Sequence, residues 1–179
     1  NVVEIKRRIA FGEIALPIKL SAWYSKGLLN NGSHLVDLAS YWLGDYVSHK
    51  LLKCERYWNN TDPEPDLYIQ FEKGSLVLMS AWEECYTHFT VELLSPSGRL
   101  YYSNGGEKIS FSQAEEDKLF KGYKVLSDKP EMFKNYFLKY QFNVYEQLSR
   151  ALKKQKNNLC EGFDGLGTLK ILENICGDL

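Results

Sequence analysis

His34 and Asp37 have the clearest chemical potential in this chain, because they stand three positions apart at the start of a predicted helix. A strand-like run over 14–24 leads into them, and apolar residues at helical spacing lead out to Gly44. Positive partial charge at a helix N-terminus disfavours imidazolium, so we expect a neutral His34 that can accept a proton. Asp37 shares a helix face with His34 and is positioned to orient the ring.

The same residues also have a purely structural interpretation. A strand-to-helix turn needs glycine for its backbone angles, and Gly32 stands in this one. Asn and Ser, as at Asn31 and Ser33, are ordinary helix-capping residues. Local chemistry therefore leaves catalysis and structure both open.

The segment Gly27–Asp37 resembles a motif of the glucose–fructose oxidoreductase/inositol dehydrogenase (Gfo/Idh/MocA) family, written G-x-L-x-D-x-G-x-H-x-x-D. Five positions match it: Gly27, Leu29, Gly32, His34 and Asp37. Asn30 is the exception, because the family usually has an aspartate there. Weaker similarity over Glu4–Ile14 and Leu159–Leu169 extends the resemblance to most of the chain.

The resemblance implies an oxidoreductase that uses NAD or NADP to act on a sugar, sugar derivative or polyol. His34 would remove a hydroxyl proton while hydride leaves the same carbon for the nicotinamide. Asn30 would hydrogen-bond a substrate hydroxyl, although an amide cannot take up a proton. Tyr24, Lys26 and Asn31 are the predicted substrate contacts, since they lie before or within the motif.

The nucleotide-binding half of such proteins is not found in this sequence. There is no G-x-G-x-x-G after a strand and no Glu-Lys-Pro, and the one Gly-x-Gly, at 165–167, follows a loop and opens the last predicted helix. We therefore expect residues 1–179 to be a single C-terminal domain for substrate binding and oligomerisation. Its own N-terminal Rossmann domain would bind the cofactor, and this chain alone would bind neither NAD nor NADP.

Composition and cysteine spacing narrow the classes of protein to which this chain could belong. The net charge of −1 provides no general attraction for nucleic acid or an anionic membrane. Apolar runs such as Leu76–Met79 are too short to cross a bilayer, so we expect no membrane partner and a cytoplasmic protein. The four cysteines form no Cys-x-x-Cys pair, which predicts free thiols and no metal site: Cys54, Cys85, Cys160 and Cys176.

Hydrophobic patterning predicts an α+β fold. Five strands joined by short turns are expected to be antiparallel, at about 67–72, 75–82, 89–93, 99–102 and 109–111, with a further strand within 119–126 and a loop over 59–65. Two helices follow, and the first carries an apolar stripe predicted to face a core: Phe137, Tyr140, Val144, Leu148 and Leu152. The second covers 166–175. The resemblance implies an open, predominantly antiparallel (mixed) sheet with helices on one face and another subunit on the bare face.

Two other functions stay open from the sequence. One is a non-catalytic carbohydrate-binding or scaffold module that has the same fold, for which Asn30 is mild support. The other is a cofactor-independent lyase or isomerase that uses His34 and Asp37.

Overall fold

The fold was analysed in a computed structural model that describes residues 1–134, 139–159 and 162–179. The helices of these ranges are α1 (Val2–Ala10), α2 (Ser33–Leu43), α3 (Tyr140–Leu152) and α4 (Gly162–Gly177), with a π-helical turn at Gly27–Gly32 and a 3₁₀ turn at Asn104–Gly106. The strands are β1 (Ile18–Tyr24), β2 (Tyr46–Lys53), β3 (Tyr57–Trp58), β4 (Asp62–Pro63), β5 (Asp66–Phe71), β6 (Gly74–Ser80), β7 (Phe89–Ser95), β8 (Gly98–Ser103), β9 (Lys108–Glu116), β10 (Lys124–Leu126) and β11 (Glu131–Met132).

One nine-stranded sheet organises the chain, in the order β10-β9-β8-β7-β1-β6-β5-β2, with β11 also paired to β9. The pair β1–β6 is parallel, and the other pairs are antiparallel. Short turns join β5–β6 and β7–β8, whereas the long path from β1 to β6 permits the parallel pair. The predicted α+β fold with a mixed, mainly antiparallel sheet is confirmed.

The core lies between one face of this sheet and the helices. On β1 the buried positions alternate with more exposed ones, which places Ile18, Leu20, Ala22 and Tyr24 on the inner face. Helix α2 contributes Trp42, the largest fully buried side chain, and α4 packs against both α2 and β2. The helices α1, α2 and α4 thus cover the inner face, as predicted.

The outer face of the sheet carries large, partly exposed side chains in the part of the chain that the structure describes. Trp23, Leu94 and Tyr101 lie on it, and each is nearly half exposed, at 46%, 46% and 47%. Arg99 and Glu92 form an ion pair of 3.5 Å between β8 and β7 beside them. The outer surface is therefore a mixture of large apolar and charged side chains.

The predicted packing of the α3 stripe was wrong. Tyr140, Val144, Leu148 and Leu152 are between 44% and 78% exposed, so this amphipathic face is not buried in the core formed by the described residues. Phe137 lies outside the described residues. Amphipathic spacing shows that a helix has an apolar face, but not what covers that face.

Other differences are local. Strand β2 was not predicted, because its exposed and half-buried residues do not alternate regularly. The predicted strand within 119–126 is confined to Lys124–Leu126. Cys54, Cys85 and Cys176 are free thiols, and Cys160 lies outside the described residues. In the described ranges, no helix has the length and apolarity needed to cross a membrane, and no group of His, Cys, Asp and Glu could hold a metal ion.

Candidate functional site

His34 is the second residue of α2, and its side chain is exposed. It borders an open cavity of about 630 Å³ between α2 and α4, lined also by Leu29, Leu166 and Leu169. On its other side the ring lies 6.5 Å from the Phe89 ring, centroid to centroid. This imidazole can therefore meet a small molecule from solvent.

The predicted position of His34 at a free helix end needs correction. The helical segment begins at Gly27 as a π-helical turn and continues directly into α2. Gly32 has φ −59° and ψ −36°, which are ordinary right-handed helical values. His34 thus follows a complete preceding turn, and the dipole argument for its neutrality loses most of its force because that field falls off within one turn.

Two carboxylates occupy the start of the π-helical turn. Asp62 accepts hydrogen bonds from the backbone amides of Leu29 and Asn30, at 2.9 and 3.0 Å, and Glu64 accepts one from Gly27 at 3.1 Å. These acids lie in the segment 59–65 that the sequence predicted as a loop, and their role was not predicted. Three acids within the five residues 62–66 were the available signal, but nothing local related them to residue 27.

Gly27 is required at this contact. Its φ is +83°, and a Cβ atom there would lie 2.0 Å from Oδ2 of Asp62. Any other side chain would displace the carboxylate that holds the turn. The glycine of the motif therefore has a physical reason in this structure.

The predicted orientation of His34 by Asp37 is not seen as a hydrogen bond between the two side chains among the described residues. The Asp37 carboxylate instead accepts a hydrogen bond of 2.9 Å from the hydroxyl of Thr168 on α4. Residues three apart share a helix face, and here that face also meets α4, which supplies the donor. Asp37 thus joins α2 to α4 along the wall of the cavity.

Tyr24 is a core residue, and its predicted contact with substrate is wrong. Its side chain is fully buried, and its hydroxyl donates a 2.8 Å hydrogen bond to the carbonyl of Pro65. Burial, reinforced by the negative charge of Glu64, raises the pKa of the Tyr24 hydroxyl far above its ordinary value. The strand alternation that buries Ile18 also turns Tyr24 inward.

Lys26 lies immediately before the π-helical turn with a left-handed φ of +68°. Its ammonium group forms a 3.1 Å ion pair with Glu83, whose other oxygen accepts from the buried Ser25 hydroxyl. Burial opposes the ionisation of Glu83, but hydrogen bonds from Ser25, Thr87 and Lys26 outweigh it and lower the pKa of the carboxyl. Lys26 is therefore neutralised by a protein carboxylate.

Asn30 and Asn31 differ in accessibility. Asn30 is exposed. Its backbone N–H donates a hydrogen bond to Asp62, and its backbone carbonyl accepts one from the Ser33 hydroxyl. Asn31 is half-buried. The structure thus brings Asn30 and His34 together on one short helical segment, with the side chain of Asn30 open to solvent.

The segment 82–89 was missed as part of this site. The Tyr86 ring packs on the His88 ring at 4.1 Å between centroids and is 67% exposed, and Trp82 is 61% exposed. The His88 amide donates to Ser25 at 3.0 Å, while its Nε2 atom has no hydrogen-bond partner among the described residues. Strands β1 and β6 run parallel and pair Tyr24 with Ser80, so the segment that follows β6 leaves the sheet at the same end as the motif, and Phe89 reaches His34. The aromatic content of 82–89 was the only sequence signal.

Several solved structures of oxidoreductases superpose on this chain. The aldose-aldose oxidoreductase from Caulobacter crescentus complexed with glycerol superposes with a TM-score of 0.68 at 14% identity, covering 97% of this chain and 56% of that one. The NAD binding oxidoreductase from Klebsiella pneumoniae gives 0.65 at 15% identity, covering 96% and 58%. Levoglucosan dehydrogenase, in complex with NADH and levoglucosan, gives 0.64 at 12% identity, covering 92% and 57%.

At such identities the likeness shows a shared fold and no more. The chain spans little more than half the length of each of these structures. No protein-family model matches the sequence, and no curated protein matches it.

Proposed function

We propose that this chain is the substrate-binding part of an NAD(P)-dependent oxidoreductase of the Gfo/Idh/MocA family that acts on a sugar, sugar derivative or polyol. The observation that carries the proposal is the placement of His34, exposed on a cavity wall within a fold shared with NAD-binding oxidoreductases. Two of those structures contain glycerol or levoglucosan, which agrees with a polyhydroxylated ligand.

In this proposal His34 acts as the general base and accepts the proton of a substrate hydroxyl. The side-chain amide of Asn30 forms a hydrogen bond with a neighbouring substrate hydroxyl, as donor or as acceptor. This side-chain amide cannot take part in proton transfer. Tyr86 and Trp82 provide exposed aromatic surface near the same end of the sheet. Lys26 is paired with Glu83, so it favours an uncharged ligand more than an anionic one.

We propose that this chain carries no glycine-rich dinucleotide site. Gly165 and Gly167 lie inside α4, so no strand precedes them and no phosphate-binding turn is formed. We propose that a separate N-terminal domain binds NAD or NADP, which supplies the hydride acceptor. Hydride transfer requires close positioning of both reactants, and the 179 residues alone would therefore be inactive.

The decisive experiment combines binding and turnover. Calorimetric titration of the 179-residue chain with NAD and NADP should show no binding, and the longer protein should oxidise members of a sugar and polyol panel. His34→Asn in the longer protein should lower kcat about a hundredfold or more, the scale expected for loss of a general base. Tight cofactor binding by the chain, or full activity of the variant, would contradict the proposal.

A carbohydrate-binding module without catalysis is the second candidate. It is favoured by the neutral Asn30 amide and by the exposed Tyr86 and Trp82 rings. It predicts sugar binding by the 179-residue chain with no turnover in any longer form. The lyase or isomerase alternative loses its main support, because Asp37 is bonded to Thr168.

We also propose that a second copy packs on the outer sheet face. Trp23, Leu94 and Tyr101 are large and partly exposed there, and contiguous apolar surface of several hundred Å² usually marks an interaction site. Sedimentation of the protein should therefore show a dimer or larger assembly.

A further inference from the structure

We propose that Asp62 and Glu64 are positioning residues, which hold the π-helical turn so that Asn30 keeps its place relative to His34. The inference rests on the proposed function, because it concerns the geometry of the same site. It adds two residues that lie about thirty positions away in sequence from the motif they support.

The Asp62 and Glu64 carboxylates together bind three backbone amides of the turn. Each oxygen of Asp62 accepts from a different amide, those of Leu29 and Asn30, so the carboxylate bridges two successive residues. Glu64 binds the amide of Gly27. The first amides of a helical segment have no partner within it, and here carboxylates satisfy three of them with charge-assisted hydrogen bonds.

Asp62 and Glu64 are themselves held in place by neighbouring residues. Glu64 is 3% exposed, its amide donates a 2.9 Å hydrogen bond to the carbonyl of Arg56, and its carboxylate lies 3.6 Å from the Arg56 guanidinium. Asp62 lies in β4, which pairs with β3 through Trp58. The hairpin therefore offers the carboxylates at set positions, with little conformational freedom to lose.

The shape of the turn depends on these two carboxylates. A π-helical turn contains one more residue than an α-helical turn, and such turns are rare and concentrated at functional sites. The opening amides of a helical segment fray when they have no hydrogen-bond partner. Without Asp62 the segment would open at Leu29 and Asn30, and Asn30 would no longer be held four residues before His34 on the same side of the helix.

The test uses Asp62→Ala and Asp62→Asn, with Glu55→Gln as the matched control. Glu55 is an exposed acid of the same connection that pairs with Lys53, and the carboxylates that bind the turn amides in the described part of the chain are those of Asp62 and Glu64. In the 179-residue chain, Asp62→Ala should speed amide hydrogen exchange at Leu29 and Asn30 at least about tenfold, the scale of one charge-assisted hydrogen bond. Exchange in α1 should not change, and Glu55→Gln should behave as wild type.

Kinetics of the longer protein then separate positioning from simple stability. Asp62→Ala should lower kcat about tenfold with little change in the KM for the cofactor, and Asp62→Asn should restore part of kcat because its amide oxygen still accepts one hydrogen bond. Faster exchange with unchanged kcat would overturn the inference, as would unchanged exchange in Asp62→Ala. If His34→Asn abolishes turnover while Asp62→Ala leaves kcat unchanged, this inference fails and the proposed function stands. Absence of turnover in the unmodified protein would overturn both.

Discussion

The Thr168 hydroxyl donates a 2.9 Å hydrogen bond to the Asp37 carboxylate, joining the last helix to the helix that carries His34. The two residues are 131 positions apart, and both line the cavity beside His34. This contact links α2 to α4 at the wall of the candidate cavity, beside the apolar packing of the two helices.

Thr168→Val should lower the free energy of unfolding by about 1–2 kcal/mol, because it keeps the shape of the side chain but leaves the half-buried Asp37 carboxylate without this donor. Urea unfolding followed by tryptophan fluorescence measures the change. Thr168→Ser keeps the hydroxyl and serves as the control. Equal stability of the Val and Ser variants would show that the hydrogen bond contributes nothing.

Gly27→Ala should be much more damaging than Gly12→Ala. Both glycines have positive φ, +83° and +75°, so each alanine incurs a conformational cost of about 1–2 kcal/mol. A Cβ atom at Gly12 would meet no atom within 4 Å, whereas at Gly27 it would overlap the Asp62 carboxylate. We expect Gly27→Ala to lose at least about 1 kcal/mol more, measured by urea unfolding, because hydrogen bonds to the carboxylate are also lost.

Asn30→Asp should be mildly destabilising, although it restores the residue that the resembling family usually has. The backbone N–H of residue 30 donates a 3.0 Å hydrogen bond to the Asp62 carboxylate. A second carboxylate, on the side chain of residue 30, would therefore lie near a group of like charge. We expect a loss of about 0.5 kcal/mol at pH 7, since the site is exposed and screened. In an Asp62→Asn background the loss should disappear, and additive effects in this double-mutant cycle would contradict the coupling.

Acid should weaken the attachment of α1 to β11. Arg8 binds Glu131 at 2.6 Å and Glu4 at 3.0 Å. Hydrogen bonds from Arg7 and Arg8 lower the pKa of Glu4 to about 2, and the hydrogen bond from Arg8 also lowers the pKa of Glu131.

Because these carboxyl pKa values are lower in the folded chain, their stabilisation is fully present above the unfolded value of 4.5 and is lost as the pH falls from there towards 2. Glu131→Gln should therefore reduce stability at pH 6 and make the loss between pH 4.5 and 3 shallower. The change should be a fraction of about 1 kcal/mol, since both carboxylates are partly exposed. Urea midpoints at pH 6 and pH 3 measure it, and parallel curves for variant and wild type would contradict it.

The proposed outer-face interface predicts an effect of Trp23→Lys. A charge at the centre of an interface between two copies is costly, so sedimentation should shift from an assembly towards monomer. The fold should be retained, because Trp23 does not contribute to the inner core. A wild-type protein that sediments as monomer at micromolar concentration would exclude this interface.

The sequence by itself determined the pieces that depend on local pattern. Alternation at Leu67, Ile69 and Phe71 predicted β5, and Gly44 predicted the end of α2, because side-chain period and backbone angles are properties of neighbouring residues. The motif likewise identified His34, which the structure leaves exposed beside a cavity.

Only the tertiary structure decided which partners these residues meet. Asp62 reaches Leu29 across 33 residues, and Thr168 reaches Asp37 across 131, and no local spacing encodes either contact. The apolar face of α3 was visible in the sequence, but its exposure was not, because burial depends on what the rest of the fold brings against it. Periodicity is set by the chain within a few residues, whereas hydrogen-bond partners are set by the folded arrangement of distant segments.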